Sequence, residues 1–598
     1  MRFKTLITIS KTEKKLIEDV LIETAHSICA NDISRSCSGE ILFELTRIAF
    51  IHQVFSALYK NVIPECLYLD LDCLSTGPSK GRLVEISSFS ALENWKIFFS
   101  KLRARDPLEE AYNLSLLYGM MLNYSIAESS DGITLVCGRG SRKQSGSYFT
   151  PAALVNELVD EMVAELKKSE SEPLDNLCLL DPACGPGIFL VAARQKLSGA
   201  RLFGVDFDRA AVFLARLNLW KASGFKNARA IAEQVKAGNS LIGAASHSEG
   251  ENLDEKCANW FSNGISTSVK ELKMDYRFFH WQEEFKDIFH SRSGFDAVFG
   301  NPPWEIAKPN SREFFSQYDK HYYSYSKQEA LLVQEKILAS NSVAASRWMK
   351  INREKKLLAN WVKEAPLQFA PYREGFQFQG KSDFNLYKSF LEQSYYLAKR
   401  GGLLSFFVPA GLYSDRGSAS LRKLFLEECR WLNLKTFENT DSTFNIHRSF
   451  KYCYFLAKKG SSTGPIKAEF LKNLNGATLE NGVLEYDRTL VERFSPVNSI
   501  ILEVENKNVL DLLSKIYDAS LYLKDIEYDG MKLRYTRELD MTLDSKLFLK
   551  RSKIEADGFI QDEYGNWLRG NWQSTDSFSD PEPLVYSFDR SKNLKMED

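Results

Sequence analysis

An amide, two prolines and an indole follow the apolar stretch "FDAVF": they are Asn301, Pro302, Pro303 and Trp304. The prolines lack an N–H group and fix φ, so they end the strand and hold a rigid turn. The asparagine oxygen and the carbonyl groups of the turn are acceptors that could bind an exocyclic NH₂ group and direct its lone pair toward an electrophile. The indole offers a flat face on which a base could stack. This pattern favours activation of an amine by orientation, with no covalent intermediate and no metal site predicted.

A glycine-rich turn between a predicted strand and a predicted helix, "LLDPACGPGIFL" at 179–190, supplies a second group of candidate residues. Gly185 and Gly187 let the backbone turn tightly and approach a ligand closely. The helix that begins near Ile188 directs its positive end at that ligand. Asp206 ends the next predicted strand, where such folds bind ribose hydroxyl groups. The sequence therefore predicts a nucleoside-containing cofactor at this turn.

The identity of the cofactor follows from charge and from the glycine pattern. A dinucleotide would need G-x-G-x-x-G and a nucleoside triphosphate would need G-x-x-x-x-G-K-[ST], and this turn has neither. Asp181 at the start of the turn disfavours phosphate and suits a cation. S-adenosylmethionine is cationic at its sulfur and at its amino group, so it fits Asp181 and Asp206 together. The alternative is a turn that only connects two elements.

Alternating strand and helix patterns position these residues and predict an α/β fold, doubly wound around a mostly parallel sheet. We assign this domain, which is Rossmann-like and expected to bind S-adenosylmethionine, to residues 141–460, with inserts at 244–290 and 305–380. Residues 1–140 carry helical spacing, so we predict a mainly helical N-terminal region. Residues 461–598 have short mixed patterns and are assigned to a partial C-terminal domain.

Net charge, cysteine content and the N-terminal sequence limit the class of protein. The net charge of −1 is compatible with a nucleic-acid partner, because a groove needs only a local basic stripe. The ten cysteines form no CxxC pair, which indicates a reducing compartment. The N-terminus "MRFKTLITIS" lacks a signal-peptide core, and no run of about 18 apolar residues is present. We therefore expect a soluble, cytoplasmic protein.

Five motifs occur in an order that resembles a known family: "GSYFTP", "DPACGPGIFL", "GVDFD", "GNSLIG" and "FDAVFGNPPW". The order resembles the N6-adenine DNA methyltransferases of type IIG and type I restriction–modification systems. The resemblance covers about 146–460. It implies transfer of a methyl group from S-adenosylmethionine to N6 of adenine. The chemistry of the amine site alone also fits N4 of cytosine.

The resemblance also implies roles for individual residues. The cofactor site would consist of Tyr148, Phe149, Thr150, Pro151, Asp181, Pro182, Ala183, Cys184, Gly185, Gly187, Asp206, Phe207 and Asn239. Asn239 stands where the family often has Asp at the cofactor's adenine amine, and an amide can accept the same hydrogen bond. Pro186 stands where the family usually has Ser, which stiffens the loop.

The same resemblance implies the catalytic tetrad and its stacking partner. Asn301, Pro302, Pro303 and Trp304 would be catalytic, and Phe450 would stack on the target base with Trp304. The alternative for Phe450 is a core strand residue. Thr150 is predicted to cap the helix that follows it, with Pro151 at its first position.

The implied partner is double-stranded DNA with its adenine rotated out of the duplex, since a stacked base cannot reach this pocket. The stretch 346–363 is basic with interleaved tryptophans and is a candidate for phosphate contacts, or else a solvated helix face. The family places target recognition after about 460, in a domain larger than the roughly 140 residues that remain. We therefore expect a truncated member or a piece of a longer chain, working with a nuclease or specificity subunit.

The same residues are also compatible with other functions. The tetrad also serves methylation of RNA bases and of protein glutamine, and a truncated methylase could bind cofactor or DNA without turnover. A nuclease centre is a further alternative. Its nearest candidates are "LYLDLD" at 67–72 and "GRLVEIS" at 81–87, and both lack the lysine of an E-x-K motif.

Overall fold

The computed structural model describes most of the chain between residues 11 and 569. The described residues are 11–30, 39–59, 63–67, 101–129, 132–137, 149–168, 173–244, 251–262, 268–319, 321–364, 366–367, 370–374, 376–380, 384–441, 443–444, 447–460, 464–472, 482–520, 527–528, 531–532, 556, 558–561 and 567–569. Tyr148 and nearly all of the two acidic stretches considered for a nuclease centre lie outside these residues. The chain divides into two compact units, 1–515 and 516–598.

The described N-terminal residues form helices and one β-hairpin. The elements are α1 (Lys11–Ala30), α2 (Gly39–Tyr59), α3 (Pro107–Met121), β1 (Tyr124–Ser129) and β2 (Gly132–Cys137). Helix α3 starts at Pro107, and the carboxylate of Asp106 accepts a hydrogen bond from the Leu108 N–H group at 3.1 Å, as expected for a capped N-terminus. Helix α2 is apolar on nearly every side, so it must be covered on nearly every side.

A nine-stranded central sheet forms the core of the first unit. Its strands are β3 (Cys178–Asp181), β4 (Arg201–Asp206), β5 (Val235–Ala237), β6 (Phe295–Gly300), β9 (Ala398–Pro409), β10 (Cys429–Glu438), β11 (Lys451–Lys459), β12 (Ile466–Lys472) and β13 (Leu484–Tyr486). The strand order is β13-β12-β10-β11-β9-β6-β3-β4-β5. Strands β5, β4, β3, β6 and β9 are parallel, and β11 is antiparallel to β9. The predicted α/β fold with a mostly parallel sheet is confirmed.

Helices follow the parallel strands and cover the sheet, which explains why β3 and β6 are buried along their whole length. They are α4 (Ala152–Leu166), α5 (Ile188–Lys196), α6 (Arg209–Ala222), α7 (Ala228–Gln234), α15 (Leu386–Leu397), α16 (Gly411–Ser414) and α17 (Ala419–Glu428). In the part of the chain that the structure describes, no helix is long and apolar enough to cross a membrane.

Both predicted inserts are largely helical. The first contains α8 (Leu253–Ser262), α9 (Val269–Tyr276), α10 (Trp281–Glu284) and α11 (Lys286–Arg292). The second contains α12 (Ser311–Phe315), α13 (Lys327–Ser340), α14 (Ser342–Glu364), β7 (Pro366–Leu367) and β8 (Ala370–Glu374). The second insert has a small core of its own, made of Phe314, Phe315 and Tyr322, against which Trp348 packs.

The central sheet continues past residue 460, where the sequence placed the end of the methyltransferase domain. Strand β12 pairs in parallel with β10, and β13 pairs antiparallel with β12. The remaining described elements are α18 (Arg488–Phe494), α19 (Lys507–Ala519), β14 (Glu527–Tyr528), β15 (Met531–Lys532), β16 (Phe559–Gln561) and β17 (Trp567–Arg569). The division of the chain into three domains stays a prediction, and the sheet itself extends to Tyr486.

Candidate active site

Two adjacent parallel strands bring the glycine-rich turn and the Pro-Pro turn together. Strands β3 and β6 pair with Leu180 opposite Val298, so both end at the same edge of the sheet. Gly300, the last residue of β6, has φ 141°, and a β-carbon there would lie 2.6 Å from Oδ1 of Asp181. The backbone before Asn301 can therefore lie directly against the Asp181 carboxylate only because residue 300 has no side chain.

The Asp181 carboxylate is buried and incompletely paired. Its Oδ1 accepts a hydrogen bond from the Ala183 N–H group at 3.1 Å. Its Oδ2 is buried and has no hydrogen-bond partner among the described residues. Burial raises the pKa of Asp181 well above its ordinary value, and the nearby Asp206 raises it further. A cation placed at Oδ2 would satisfy this oxygen, which fits the ammonium group of S-adenosylmethionine.

The glycine-rich turn has the backbone geometry that its sequence predicts. Gly185 and Gly187 have φ 51° and 83°, values that favour glycine. A β-carbon on Gly187 would lie 2.9 Å from that of Ala215, so α5 and α6 approach too closely for a larger residue. Asn218 donates from Nδ2 to the Pro186 carbonyl at 2.9 Å, so the proline of the turn is anchored to α6.

Asp206 lies at the end of β4 and holds the glycine-rich turn from the other side. One oxygen accepts from the Gly185 N–H group at 2.8 Å, and the other accepts from the Asp208 N–H group at 2.9 Å. Each oxygen keeps a second acceptor position, so ribose hydroxyl groups could still bind. Burial raises the pKa of Asp206 to about 6, against the effect of these backbone hydrogen bonds.

Phe207 and Asn239, predicted to hold the adenine ring, lie on two neighbouring segments. Phe207 is 47% exposed, and the guanidinium carbon of Arg277 lies 4.5 Å from its ring centroid. The Asn239 side-chain oxygen accepts from the Leu241 N–H group at 3.1 Å. Ser240 donates its hydroxyl to the Pro182 carbonyl at 2.5 Å, which ties this segment to the glycine-rich turn.

Thr150 does not cap a helix, contrary to the prediction. Helix α4 begins at Ala152 with Pro151 as its N-cap and no side-chain cap. The buried hydroxyl of Thr150 instead accepts a hydrogen bond from Nδ2 of Asn301 at 2.9 Å. The Asn301 Oδ1 atom is buried and has no donor in the part of the chain that the structure describes. The pairing therefore leaves an acceptor available at the site.

Trp304 and Phe450, predicted as two stacking residues, lie close to each other. Their rings are nearly parallel, with centroids 6.2 Å apart and an interplanar angle of 13°. Trp304 is buried against Phe444 and Tyr452, with ring centroids 4.8 Å and 6.0 Å away. Phe450 is 40% exposed, so it is not a core strand residue. Its role in base stacking stays a prediction.

Sequence reasoning missed a group of charged residues around the turn at 206–209. They are Glu44 and Arg47 on α2, together with Asp208, Arg209 and Arg277. A local signal existed, because Glu44 and Arg47 are two opposite charges three positions apart within a largely apolar helix. A buried charge of this kind requires a partner.

The basic stretch at 346–363 separates into two faces of helix α14. Trp348 packs on Phe314 and Phe315, and Trp361 donates from its indole nitrogen to the Leu241 carbonyl at 2.8 Å. Both tryptophans therefore face protein. Arg347, Lys350, Arg353 and Lys356 are exposed on the same helix. The exposed face is basic, as a phosphate-binding surface or a solvated face would be.

Comparison with known protein families finds one match at this site. Residues 200–367 and 359–444 match the family described as Eco57I restriction-modification methylase. This part of the chain is similar to that family. The methylase region so defined contains Asp206, Asn239 and the tetrad from Asn301 to Trp304. The resemblance to restriction–modification methyltransferases is confirmed, and the adenine-specific class stays a prediction.

Solved structures with likeness to the chain include several restriction–modification proteins. The DrdV–DNA complex matches 83% of this chain and 44% of its own at 13% identity, with a TM-score of 0.46. The ATP-dependent type ISP restriction-modification enzyme LlaBIII bound to DNA matches 77% of this chain and 30% of its own at 13% identity, with a TM-score of 0.42.

A third structure is the methyltransferase subunit of a type I restriction-modification system from Streptococcus thermophilus. It matches 86% of this chain and 89% of its own at 12% identity, with a TM-score of 0.32. The chain thus spans less than half the length of the DrdV and LlaBIII chains. No curated protein sequence matches the chain.

Proposed function

We propose that the chain is a site-specific DNA methyltransferase that transfers a methyl group from S-adenosylmethionine to N6 of adenine, as part of restriction–modification or phage defence. One observation carries the proposal. Among the described residues, the buried Oδ1 of Asn301 has no donor, and neither has the buried Oδ2 of Asp181, whose carboxylate lies against Gly300. Since buried polar atoms are normally satisfied, two such acceptors at one sheet edge suit two donors brought by ligands.

The residues around the glycine-rich turn would bind the cofactor. S-adenosylmethionine supplies an electrophilic methyl group when it is bound. Asp181 would accept hydrogen bonds from its amino group, and Asp206 would accept them from its ribose hydroxyl groups. Phe207 and Asn239 would contact its adenine ring. Tyr148, Phe149 and Pro151 belong to this proposal through the family resemblance, as do Pro182, Ala183, Cys184, Gly185 and Gly187.

The Pro-Pro turn would hold the amine that receives the methyl group. Asn301 Oδ1 and the Pro302 carbonyl would accept hydrogen bonds from its two N–H groups and so direct its lone pair toward the electrophile. Pro303 would keep this turn rigid. Trp304 and Phe450 would stack on the base and fix its plane. Orientation of this quality can supply a large part of a rate enhancement without a covalent intermediate.

DNA is the proposed substrate, with the target adenine rotated out of the duplex. The exposed cations of α14 would contact backbone phosphates, so binding would weaken with salt. A nuclease or specificity subunit is the proposed partner, and the cytoplasm is the proposed location.

Methyl transfer from labelled S-adenosylmethionine to unmethylated genomic DNA tests the proposal, with Asn301→Ala as the control variant. The DNA is digested and the modified base is identified. We expect N6-methyladenine from the wild-type chain and none from the variant. N4-methylcytosine in the digest would show that the target base is cytosine. Label transferred to RNA or to a glutamine of a protein, when these are offered in place of DNA, would show that the substrate is not DNA. A wild-type chain that binds no S-adenosylmethionine by calorimetry would overturn it.

A further inference from the structure

Helix α2 of the N-terminal region presents two opposite charges to the cofactor side of the methylase region. Glu44 and Arg47 are buried and lie three positions apart, so they occupy one face of the helix. Both contact residues 206–209, which we call the cofactor turn because it carries Asp206 and Phe207. Neither residue lies within the family match, which begins at residue 200.

Arg47 reaches Asp206 through one intermediate residue. Its guanidinium donates to Oδ2 of Asp208 at 2.5 Å, and the Tyr118 hydroxyl donates to the same oxygen at 2.6 Å. The other Asp208 oxygen accepts from the Ala210 N–H group at 2.8 Å and so caps helix α6. The Asp208 N–H group in turn donates to Oδ1 of Asp206 at 2.9 Å. Arg47 therefore fixes the residue that orients the Asp206 carboxylate.

Glu44 reaches Phe207 in a similar way. Its carboxylate pairs with Arg209 at 3.2 Å and with Arg277 at 3.0 Å. The Arg277 guanidinium lies over the Phe207 ring and also donates to the Phe207 carbonyl. Glu44 therefore holds the arginine that covers one side of the predicted adenine-binding aromatic ring.

We infer that Glu44 and Arg47 are positioning residues for the cofactor, so that the N-terminal helical region completes the site of the methylase region. Neither residue would touch the cofactor, and both would act through the cofactor turn. Buried ion pairs contribute little net stability compared with apolar contacts, so stability alone does not explain why these two charges meet the cofactor turn. A site that binds tightly does require its direct contacts to be held rigidly by neighbouring groups. The inference rests on the proposed function, since it assumes a nucleoside cofactor at Asp206.

The chain supplies a matched control. Lys221 and Glu110 form another largely buried ion pair between the N-terminal helices and α6, with a distance of 2.7 Å. Lys221 lies in the last turn of α6, whereas Asp208 caps its first turn. The two positions are 13 residues apart in the chain and therefore about 20 Å apart along the helix. Lys221→Met therefore removes a buried ion pair between the same regions and leaves the cofactor turn intact.

Calorimetric titration of the full chain with S-adenosylhomocysteine tests the inference. We expect Arg47→Met and Glu44→Gln to weaken binding about tenfold, equivalent to about 1.4 kcal/mol, and Lys221→Met to weaken it less than twofold. Equal effects of all three substitutions, or none, would overturn the inference. Circular dichroism and thermal unfolding show whether each variant is folded.

Arg47→Met leaves the Asp208 charge buried, so this variant could fail to fold. The double variant Arg47→Met/Asp208→Ser removes that charge and keeps an N-cap oxygen for α6. We expect it to fold and to bind the ligand about tenfold more weakly than the wild type. Wild-type affinity in a folded double variant would contradict a positioning role.

An analogue of S-adenosylhomocysteine without ribose hydroxyl groups separates a specific effect on Asp206 from a general loss of rigidity at the site. A general loss of rigidity would weaken binding of both ligands equally. If Arg47 acts through Asp206 on the ribose, its substitution should weaken binding of the analogue less than binding of the intact ligand. An equal loss for both ligands would assign Arg47 a structural role and overturn the inference. If the wild-type chain binds neither ligand, the proposed function itself fails.

Discussion

The side-chain nitrogen of Asn301 donates to the hydroxyl of Thr150 at 2.9 Å, and this single hydrogen bond decides which end of the amide remains available. An amide has one donor end and one acceptor end of nearly equal shape. With the nitrogen occupied by Thr150, the oxygen is the end left for a ligand. A residue 151 positions earlier in the chain thus sets the polarity of the proposed amine site.

Substituting Thr150 by valine should lower the rate of methyl transfer about tenfold and leave cofactor affinity within twofold. Valine has a similar shape but offers no acceptor, so the amide could rotate and present its NH₂ group to the amine. Single-turnover methylation kinetics and calorimetry measure the two quantities. Thr46→Val is the control, because among the described residues that buried hydroxyl bonds only to the Leu42 carbonyl of its own helix. Equal rates in the two variants would show that the Thr150 hydrogen bond does not matter.

Cofactor binding should weaken as the pH falls below about 6. Burial raises the pKa of Asp206 to about 6, so its carboxyl group is ionised above that pH and accepts hydrogen bonds best there. Below it, a proton must be released before the ionised form can bind ribose, which lowers affinity by up to about tenfold per pH unit. Calorimetric titrations with S-adenosylhomocysteine between pH 5 and 8 measure this dependence.

Asp206→Asn separates this effect from that of Asp181, whose pKa burial also raises. The variant should bind more weakly, and its affinity should change much less between pH 5 and 7. An unchanged pH profile in Asp206→Asn would assign the titration to another group. Asp181→Asn would then be the next variant to titrate.

Gly300→Ala should destabilise the fold by roughly 2–4 kcal/mol and abolish cofactor binding. The new methyl group would meet the Asp181 carboxylate at 2.6 Å, and a φ of 141° is unfavourable for any residue with a side chain. Gly401→Ala is the control, since Gly401 has φ 81° and no atom of the described residues lies within 4 Å of its added β-carbon. It should cost only about 1 kcal/mol, the strain of positive φ alone. Similar unfolding free energies for the two variants would argue against close packing at Asp181.

Substitution of two exposed phenylalanines should affect different steps, DNA methylation for Phe450 and cofactor binding for Phe207. Phe450→Ala should lower kcat/KM for DNA by roughly 10- to 100-fold, because stacking of one base contributes about 1–3 kcal/mol. Phe207→Ala should instead raise the Kd of S-adenosylhomocysteine and leave the transfer step nearly unchanged at saturating cofactor. Both rings are at least 40% exposed, so neither truncation should unfold the chain. A loss of cofactor affinity in Phe450→Ala would contradict its assignment to the base.

Local patterns were sufficient to predict the parallel core of the fold. Glycine and proline positions, together with apolar stretches, located the ends of β3, β4 and β6, where Asp181, Asp206 and Asn301 lie. Parallel strands align their carboxyl ends, so chain order alone places these three residues at one sheet edge.

Contacts between distant segments were not predictable from such patterns. The link from Thr150 to Asn301 joins two motifs through an unpatterned side-chain hydrogen bond. The ion pairs of α2 depend on how the N-terminal helices pack against the cofactor turn. The short mixed patterns of β12 and β13 suggested that they belong to a separate domain. Their assignment to the central sheet depends on the pairing of β12 with β10 and of β13 with β12.

The parallel rings of Trp304 and Phe450 have a consequence for redesign of this chain. Every nucleobase has a flat π-face, so a pair of ring faces binds all four bases with little discrimination. In the proposed function the two rings would therefore hold any base, and the identity of the accepted base would be read at its edge, where Asn301 presents its oxygen. An effort to convert the chain from one base to another would keep both rings and vary the residues that border the amide.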